Sequence, residues 1–163
     1  MHARFYIGGL LLVVMLVVTG CTGGDDAASG KDGDVASVAP PPDPCELLDA
    51  GTLDDLTGAE QGTGELKALA PDQRKVCVFD SGLSLAVEVG TGFDGTVDLI
   101  RASPSGATLQ DVDDVGSAAL WQDFGDGTGQ FLAQGEDYFV GVTVVAGGLE
   151  VGQALAETLL AEL

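Results

Sequence analysis

The chain opens with an apolar run and continues with short apolar segments that turn-forming residues separate. The run covers residues 7–18, carries no charge and follows His2 and Arg4. A membrane-spanning helix needs about 20 apolar residues, whereas an export signal needs about 7 to 15 between a positive start and small residues. The length of the run therefore predicts a signal peptide over residues 1–20.

The next segment is poor in large apolar side chains. Residues 22–43 consist mainly of Gly, Ala, Ser, Asp and Pro, with Val35 and Val38 as the only large aliphatic residues. Such a segment cannot bury enough apolar area to offset its ordering entropy. We predict a flexible tether over residues 21–43 and a single folded domain over residues 44–163, a length that suits one hydrophobic core.

Helix signals lie at both ends of this domain. Asp43 and Pro44 are typical of an N-cap and a first helical residue, and Asp49 and Gly58 of the start and stop of a second short helix. Residues 59–71 look like a loop. Near the C-terminus, apolar residues recur every four positions over residues 149–163, which predicts an amphipathic helix.

Strand signals fill the middle of the domain. Apolar runs or alternation occur at residues 76–79, 83–89, 118–122, 129–134 and 138–145, and glycine-containing turns connect them. Residues 93–114 have a weaker pattern, in which Val97, Leu99 and Ile100 fit either a helical turn or a short strand. The expected fold is α+β: a two-layer sandwich with an antiparallel β-meander of about five strands, packed against an N-terminal and a C-terminal helix.

The residues that end the apolar run carry a recognisable chemistry. Val18-Thr19-Gly20-Cys21 resembles the lipobox of bacterial lipoproteins, in which the cysteine thiol receives diacylglycerol and becomes the new N-terminus. This resemblance implies lipidation at Cys21 and anchoring to the outer face of the cell membrane, since two acyl chains are enough for stable attachment. An uncleaved N-terminal anchor and cleavage elsewhere by the ordinary signal peptidase are the alternatives.

Cleavage before Cys21 would leave a strongly acidic chain. It removes the one histidine and Arg4, so five of the six basic residues stay with all 26 acidic ones, a balance of −21. A field of this sign repels phosphate backbones, so nucleic acid is not an expected partner. Neutral, cationic or metal-bearing partners remain, and the acidity could also serve solubility alone.

The missing imidazole narrows the chemistry further. Without histidine the mature chain has no Ser-His-Asp, Cys-His or zinc-histidine site, and we predict no enzyme activity, cofactor or metal. Carboxylate-based hydrolysis of cell-wall polysaccharide stays formally open, because it needs only two acids.

Two cysteines remain once Cys21 is lipidated. An even count in an exported chain predicts a disulfide, here Cys45 with Cys77. A reactive thiol or a soft-metal site is the alternative, although the chain has no C-x-x-C spacing.

Three further patterns could mark sites. Asp111 and Asp113 alternate ahead of Gly116 like the start of a calcium loop. The fifth position is Val115 and the twelfth is Gln122, so a core ligand and the bidentate glutamate are missing, which leaves an irregular site that also uses Asp123 or Asp126, or a solvated turn. Trp121 and Phe124 flank a glycine-rich hairpin tip and could form an interaction surface, although aromatic residues more often anchor a core. The alternating glycines at 125, 127 and 129 lack the surroundings of a nucleotide site.

The domain as a whole resembles small exported actinobacterial lipoproteins that share a domain of unknown function. The matching elements are the opening Asp43-Pro44-Cys45-Glu46-Leu47-Leu48, the helix ending at Gly58, the strand with Cys77, the segment from Val112 to Ala119, the Gly135-Glu136-Asp137 turn and the C-terminal helix. The resemblance implies an envelope lipoprotein whose N-terminal helix is tied by disulfide to the sheet. It implies no activity and no binding residues.

These observations together predict a non-enzymatic, lipid-anchored envelope module of unknown specificity. Its expected partners are the membrane, through the Cys21 lipid, and an envelope protein or a small hydrophobic ligand. A carrier with an apolar cavity between sheet and helix is an alternative, and the polysaccharide hydrolase is another.

Overall fold

The computed structural model of the protein describes residues 38–103 and 106–163. The predicted signal peptide, Cys21 and most of the predicted tether lie outside the described residues. The strands are β1 Glu65–Ala70, β2 Arg74–Val78, β3 Ser84–Val89, β4 Thr108–Val112, β5 Ala118–Gly125, β6 Thr128–Gln134 and β7 Tyr138–Val144. The helices are α1 Pro44–Leu47, α2 Ala50–Thr57, α3 Phe93–Ala102 and α4 Gly148–Ala161, with a 3₁₀ turn at Gly90–Gly92 before α3.

The seven strands form one antiparallel sheet in the order β1-β2-β3-β7-β6-β5-β4. It consists of two meanders, β1 to β3 and β4 to β7, which join where β3 pairs with β7. The tight turn between β5 and β6 has positive φ at both Asp126 and Gly127, the conformation that suits a two-residue hairpin. The predicted α+β class with an antiparallel sheet is therefore confirmed.

The expectation of about five strands was wrong, because the sheet has seven. The two missed strands, β1 and β4, are its edges. All but the last residue of each are exposed, so neither strand shows the alternation of apolar and polar residues that marks a half-buried strand. The predicted loop at residues 59–71 thus contains β1, and the weakly patterned residues 93–114 contain α3 and β4.

The main core lies between one face of the sheet and α4. Val140, Val142 and Phe131 are fully buried there with Leu155 and Leu159 of the helix. Because successive side chains of a strand point to opposite faces, Phe139 lies on the other face of β7. There it packs with Leu132 against Phe93 of α3 in a second, smaller cluster.

The N-terminal helices pack onto the main core and are capped as the sequence predicts. The Asp43 carboxylate accepts a hydrogen bond from the Cys45 amide at 2.8 Å, and Gly58 ends α2 with a φ of 70°. A disulfide joins Cys45 of α1 to Cys77 of β2, with 5.1 Å between the Cα atoms. The predicted pairing is therefore present, and it ties α1 to the sheet.

None of the helices in residues 38–103 and 106–163 is long and apolar enough to cross a bilayer. Of the predicted tether, the structure describes the last six residues, 38–43. Pro41 among them is fully buried. Chain packed against the domain therefore begins before the predicted boundary at residue 44.

Candidate functional site

A half-open pocket of about 480 Å³ lies at one end of the sheet. Three segments line it: Val115–Gly116 before β5, Gly135–Tyr138 between β6 and β7, and the last turn of α4 with Leu163. We call it the terminal groove. Its volume lies in the range of sites for small molecules, about 300 to 1,000 Å³.

Two glycines allow the walls of the groove to approach each other. Gly116 has a φ of 59°, and a Cβ atom there would lie 2.1 Å from the Gln134 carbonyl oxygen. The neighbouring Ser117 amide donates to that same oxygen at 2.8 Å. At Gly135 a Cβ would lie 2.9 Å from the Leu160 side chain of α4 and 3.0 Å from the Tyr138 carbonyl oxygen, so a larger residue there would displace at least the Leu160 side chain.

The polar side of the groove is acidic. Glu136, Asp137 and Glu157 line it, all three side chains are exposed, and none of the described lining residues is lysine or arginine. One Glu157 oxygen accepts a hydrogen bond at 2.8 Å from Gln153, which lies four residues earlier in α4. The groove therefore presents carboxylates without a basic residue beside them.

The remaining lining is apolar or aromatic. Leu160 is partly buried, Leu163 is 39% exposed, and Val115 reaches the floor from the main core. Tyr138 lines the groove as well, and its hydroxyl donates to the Ala39 carbonyl oxygen at 3.1 Å. This bond places the end of the predicted tether beside the groove.

The proposed aromatic surface does not form as the sequence suggested. Trp121 is only 4% exposed and packs against Phe131, with ring centroids 6.4 Å apart, so it belongs to the core. Phe124 is 50% exposed at the end of β5. Of the two aromatic residues predicted to form the surface, Phe124 is therefore exposed and Trp121 is not.

The alternating glycines also have a structural explanation. Gly125 and Gly127 have positive φ in the hairpin turn, and a Cβ at Gly129 would lie 2.2 Å from the Trp121 indole. Two of them serve the turn, and the third makes room for the tryptophan.

The acidic segment at residues 111–114 is solvent-exposed. Asp111 pairs with Arg101 of α3, and Asp114 has a φ of 67° in the turn that follows β4. In residues 38–103 and 106–163, no group of three or more His, Cys, Asp or Glu side chains is placed to hold a metal ion.

A smaller pocket of about 110 Å³ beside α2 contains a buried amide, Gln61. Its Nε2 donates to the Thr57 hydroxyl at 2.7 Å and to the Ala59 carbonyl, while its Oε1 accepts from Ser81 at 2.5 Å. These bonds fix the segment between α2 and β1, so Gln61 has a structural role.

Reasoning from the sequence missed the terminal groove. It identified the Gly135-Glu136-Asp137 turn and the C-terminal helix, but as connections and packing. Nothing in their spacing indicates that Glu157 lies opposite that turn, because 20 to 22 positions separate them in the chain.

Comparison with known proteins adds little. No family model matches the chain, and no curated protein matches it. A crystal structure of a GTP binding regulator from Thermotoga maritima is 14% identical, covers 76% of this chain and 96% of its own, and has a TM-score of 0.41. At this level of likeness, no conclusion about this chain is drawn from it.

Proposed function

We propose that this protein is a non-enzymatic lipoprotein of the cell envelope, anchored through a lipid on Cys21, whose terminal groove binds a ligand outside the membrane. The observation that carries the binding role is the groove itself. It combines a small-molecule volume with an apolar floor and a few polar groups, which is the usual composition of ligand sites.

The external location rests on the apolar run, the Val18-Thr19-Gly20-Cys21 sequence and the disulfide. Disulfides persist in oxidising compartments and are rare in the reducing cytosol. The Cys45–Cys77 bond is therefore consistent with export. The resemblance to actinobacterial envelope lipoproteins supports the same proposal.

A carrier with its ligand between sheet and helix has less support. The main core between the sheet and α4 is filled by large side chains such as Phe131, Leu155 and Leu159, each with no exposed surface. The space for a ligand lies instead at the end of these layers, where the groove is half open to solvent. We therefore propose that the ligand enters and leaves the groove directly from the solvent.

A polysaccharide hydrolase is the second candidate, because the groove holds three carboxylates and an aromatic ring. Glycosidases of the common type use two acids that flank the scissile bond. Incubation of the protein with cell-wall polysaccharide separates the candidates. Release of reducing ends that the Glu136→Gln and Glu157→Gln variants lose would favour the hydrolase over the binding module.

The anchoring is tested on the full chain purified from its own envelope. Intact-mass analysis should show a diacylglyceryl thioether at an N-terminal Cys21, and the Cys21→Ser variant should lack it. Soluble, unmodified wild-type protein would contradict the proposal.

The binding role is tested by filling the groove. Ala161 is an exposed helical residue of the lining, so Ala161→Trp should occupy the site without disturbing the core. Ala102, exposed at the end of α3 and outside the groove, provides the control Ala102→Trp. Native mass spectrometry should find a small molecule on the wild type and the control and none on Ala161→Trp. Equal amounts of bound small molecule on all three proteins would show that the groove is not the binding site.

A further inference from the structure

The charges around the terminal groove are one-sided. Four Lys or Arg side chains occur in residues 38–103 and 106–163, and three of them pair with acids elsewhere: Lys67 with Glu65, Arg74 with Glu88 and Arg101 with Asp111. The fourth, Lys75, lies in β2. None of the four lines the groove, so within the described residues Glu136, Asp137 and Glu157 border it without a neighbouring positive side chain.

The end of α4 adds to this negative field. A helix C-terminus carries partial negative charge on its unpaired carbonyl groups, and a basic residue in the last turn usually offsets it. α4 has no basic residue in its last turn, and the C-cap is Glu162. Since Leu160 and Ala161 of that turn line the groove, the helix end favours a cation in the same place as the carboxylates.

The apolar side of the groove restricts the kind of cation. Leu160, Leu163 and Val115 offer hydrocarbon surface to the same space that the carboxylates border. A strongly hydrated metal ion makes no use of such a surface, whereas an alkyl or aromatic chain buries area against it. The Tyr138 ring, held in place by the bond to Ala39, is a further surface on which an ammonium group can lie.

We infer that the terminal groove selects small organic cations with an apolar tail, such as primary alkylamines. This inference deepens the proposed function and rests on it. The tail lies against the leucines and the ammonium group lies among the three carboxylates. The volume of about 480 Å³ suits a single small molecule.

Three probes with the same tail test the charge preference: hexylammonium, hexanol and hexanoate. Each is titrated into the ¹⁵N-labelled chain that begins at residue 21 with Cys21→Ser, and the amides of Gly116, Gly135 and Leu160 report occupancy. We expect hexylammonium to bind about three- to tenfold more tightly than hexanol, and hexanoate more weakly than both. The difference should shrink in 1 M salt, because salt screens exposed charges.

Two double variants test whether the preference for hexylammonium over hexanol arises in the groove. Glu136→Gln with Glu157→Gln removes two groove carboxylates and should bring hexylammonium to the affinity of hexanol. Asp55→Asn with Glu150→Gln removes two exposed charges outside the groove and should leave the preference unchanged. Both double variants alter the net charge equally, so a general effect of the acidic surface would appear in both.

Several results would overturn the inference. Equal binding of hexylammonium and hexanol would show an apolar site without charge selection, and the proposed binding role would survive. An equal loss of the preference for hexylammonium in both double variants would show a general effect of the acidic surface. Absence of binding by all three probes, or binding only by a lysine-containing peptide tested beside them, would exclude small organic cations as the ligand class. The proposed function itself is tested separately, by the intact-mass and native mass measurements on the protein described above.

Discussion

At the scale of single residues, one partly buried acid has a carboxyl pKa that burial shifts upward. Glu88 of β3 is half-buried, and burial raises the pKa of its carboxyl above the ordinary 4.5, although the charge of Arg74 opposes this effect. The Arg74 Nε atom lies 3.1 Å from a Glu88 oxygen. The ionised form of Glu88 is therefore less stable in the fold than in the unfolded chain.

This shift predicts how stability depends on pH. A raised pKa means that the folded state holds the proton more tightly, so the contribution of Glu88 to the unfolding free energy increases as pH falls through the folded-state pKa. We expect the wild type to gain stability relative to Glu88→Gln between pH 7 and pH 4.5. Urea unfolding at several pH values measures the difference.

Asp49 provides a control, because its pKa is shifted in the opposite direction from that of Glu88. Hydrogen bonds from the Thr52 amide and hydroxyl lower the pKa of this N-cap carboxyl. Its contribution is present at neutral pH and is lost as pH falls through the lowered pKa, so the wild type should lose stability relative to Asp49→Asn in acid. Parallel difference curves for the two variants would contradict this account.

Gly116 is a second residue whose role the structure makes specific. Gly116→Ala should lower the unfolding free energy by at least about 2 kcal/mol, because alanine would meet both an unfavourable φ and the Gln134 carbonyl. Gly58 has a φ of 70° with open space around it, so Gly58→Ala should cost only about 1 kcal/mol. Chemical denaturation of both variants tests this order, and equal losses would show that the close approach at Gly116 is unimportant.

At the scale of elements, the covalent link between α1 and β2 matters because α1 has only four residues. So short a helix is not stable by itself. The disulfide closes a separation of 32 residues around α2 and β1, and Cys77 is completely buried. The link therefore restricts the unfolded chain and keeps α1 on the core.

Removing the disulfide should be costly. We expect Cys45→Ala with Cys77→Ala to lower the unfolding free energy by about 3 to 4 kcal/mol, the value that chain entropy gives for a loop of this length. Thermal and urea unfolding measure the loss. Reductant should destabilise the wild type and leave the double variant unchanged. A loss below about 1 kcal/mol would mean that the N-terminal helices hold to the core without the bond.

Edge elements explain most of what the sequence pattern failed to predict. The alternation in β3 reflects Leu85 and Val87, which face the main core, and the repeat in α4 reflects its buried side with Leu155 and Leu159; both elements were predicted near their observed bounds. β1 and β4 bury little, so their side chains follow no such rule. In α3, Phe93, Val97 and Ile100 share a helical face, but Leu99 between them is 75% exposed and obscures the period.

At the scale of the whole molecule, the end of the predicted tether lies beside the groove. The bond between Tyr138 and Ala39 and the burial of Pro41 bring residues 39–41 onto the domain. On the proposed function, a ligand in the groove would therefore lie close to the segment that leads to the lipid.

The hydrogen bond between Tyr138 and Ala39 predicts a small effect on stability. Tyr138→Phe should lower the unfolding free energy by no more than about 1.5 kcal/mol, since it removes one exposed hydrogen bond and keeps the ring. Exchange of the Val38 and Ala39 amides should nevertheless become faster, while exchange in β6 stays unchanged. Unchanged exchange at these two amides would show that Pro41, rather than Tyr138, holds this segment.

The sequence by itself determined the features that depend on neighbouring residues: the helix caps at Asp43 and Asp49, the glycine turns, the central strands and the C-terminal helix. The disulfide followed from the two cysteines that remain once Cys21 is set aside for lipidation. The sequence also predicted export and lipidation, which concern residues outside the described part. Only the tertiary structure decided the pairing of β3 with β7, the burial of Trp121 and the meeting of the Gly135–Tyr138 turn with the end of α4. These depend on contacts between residues far apart in the chain, and short-range patterns of hydrophobicity carry no information about such contacts.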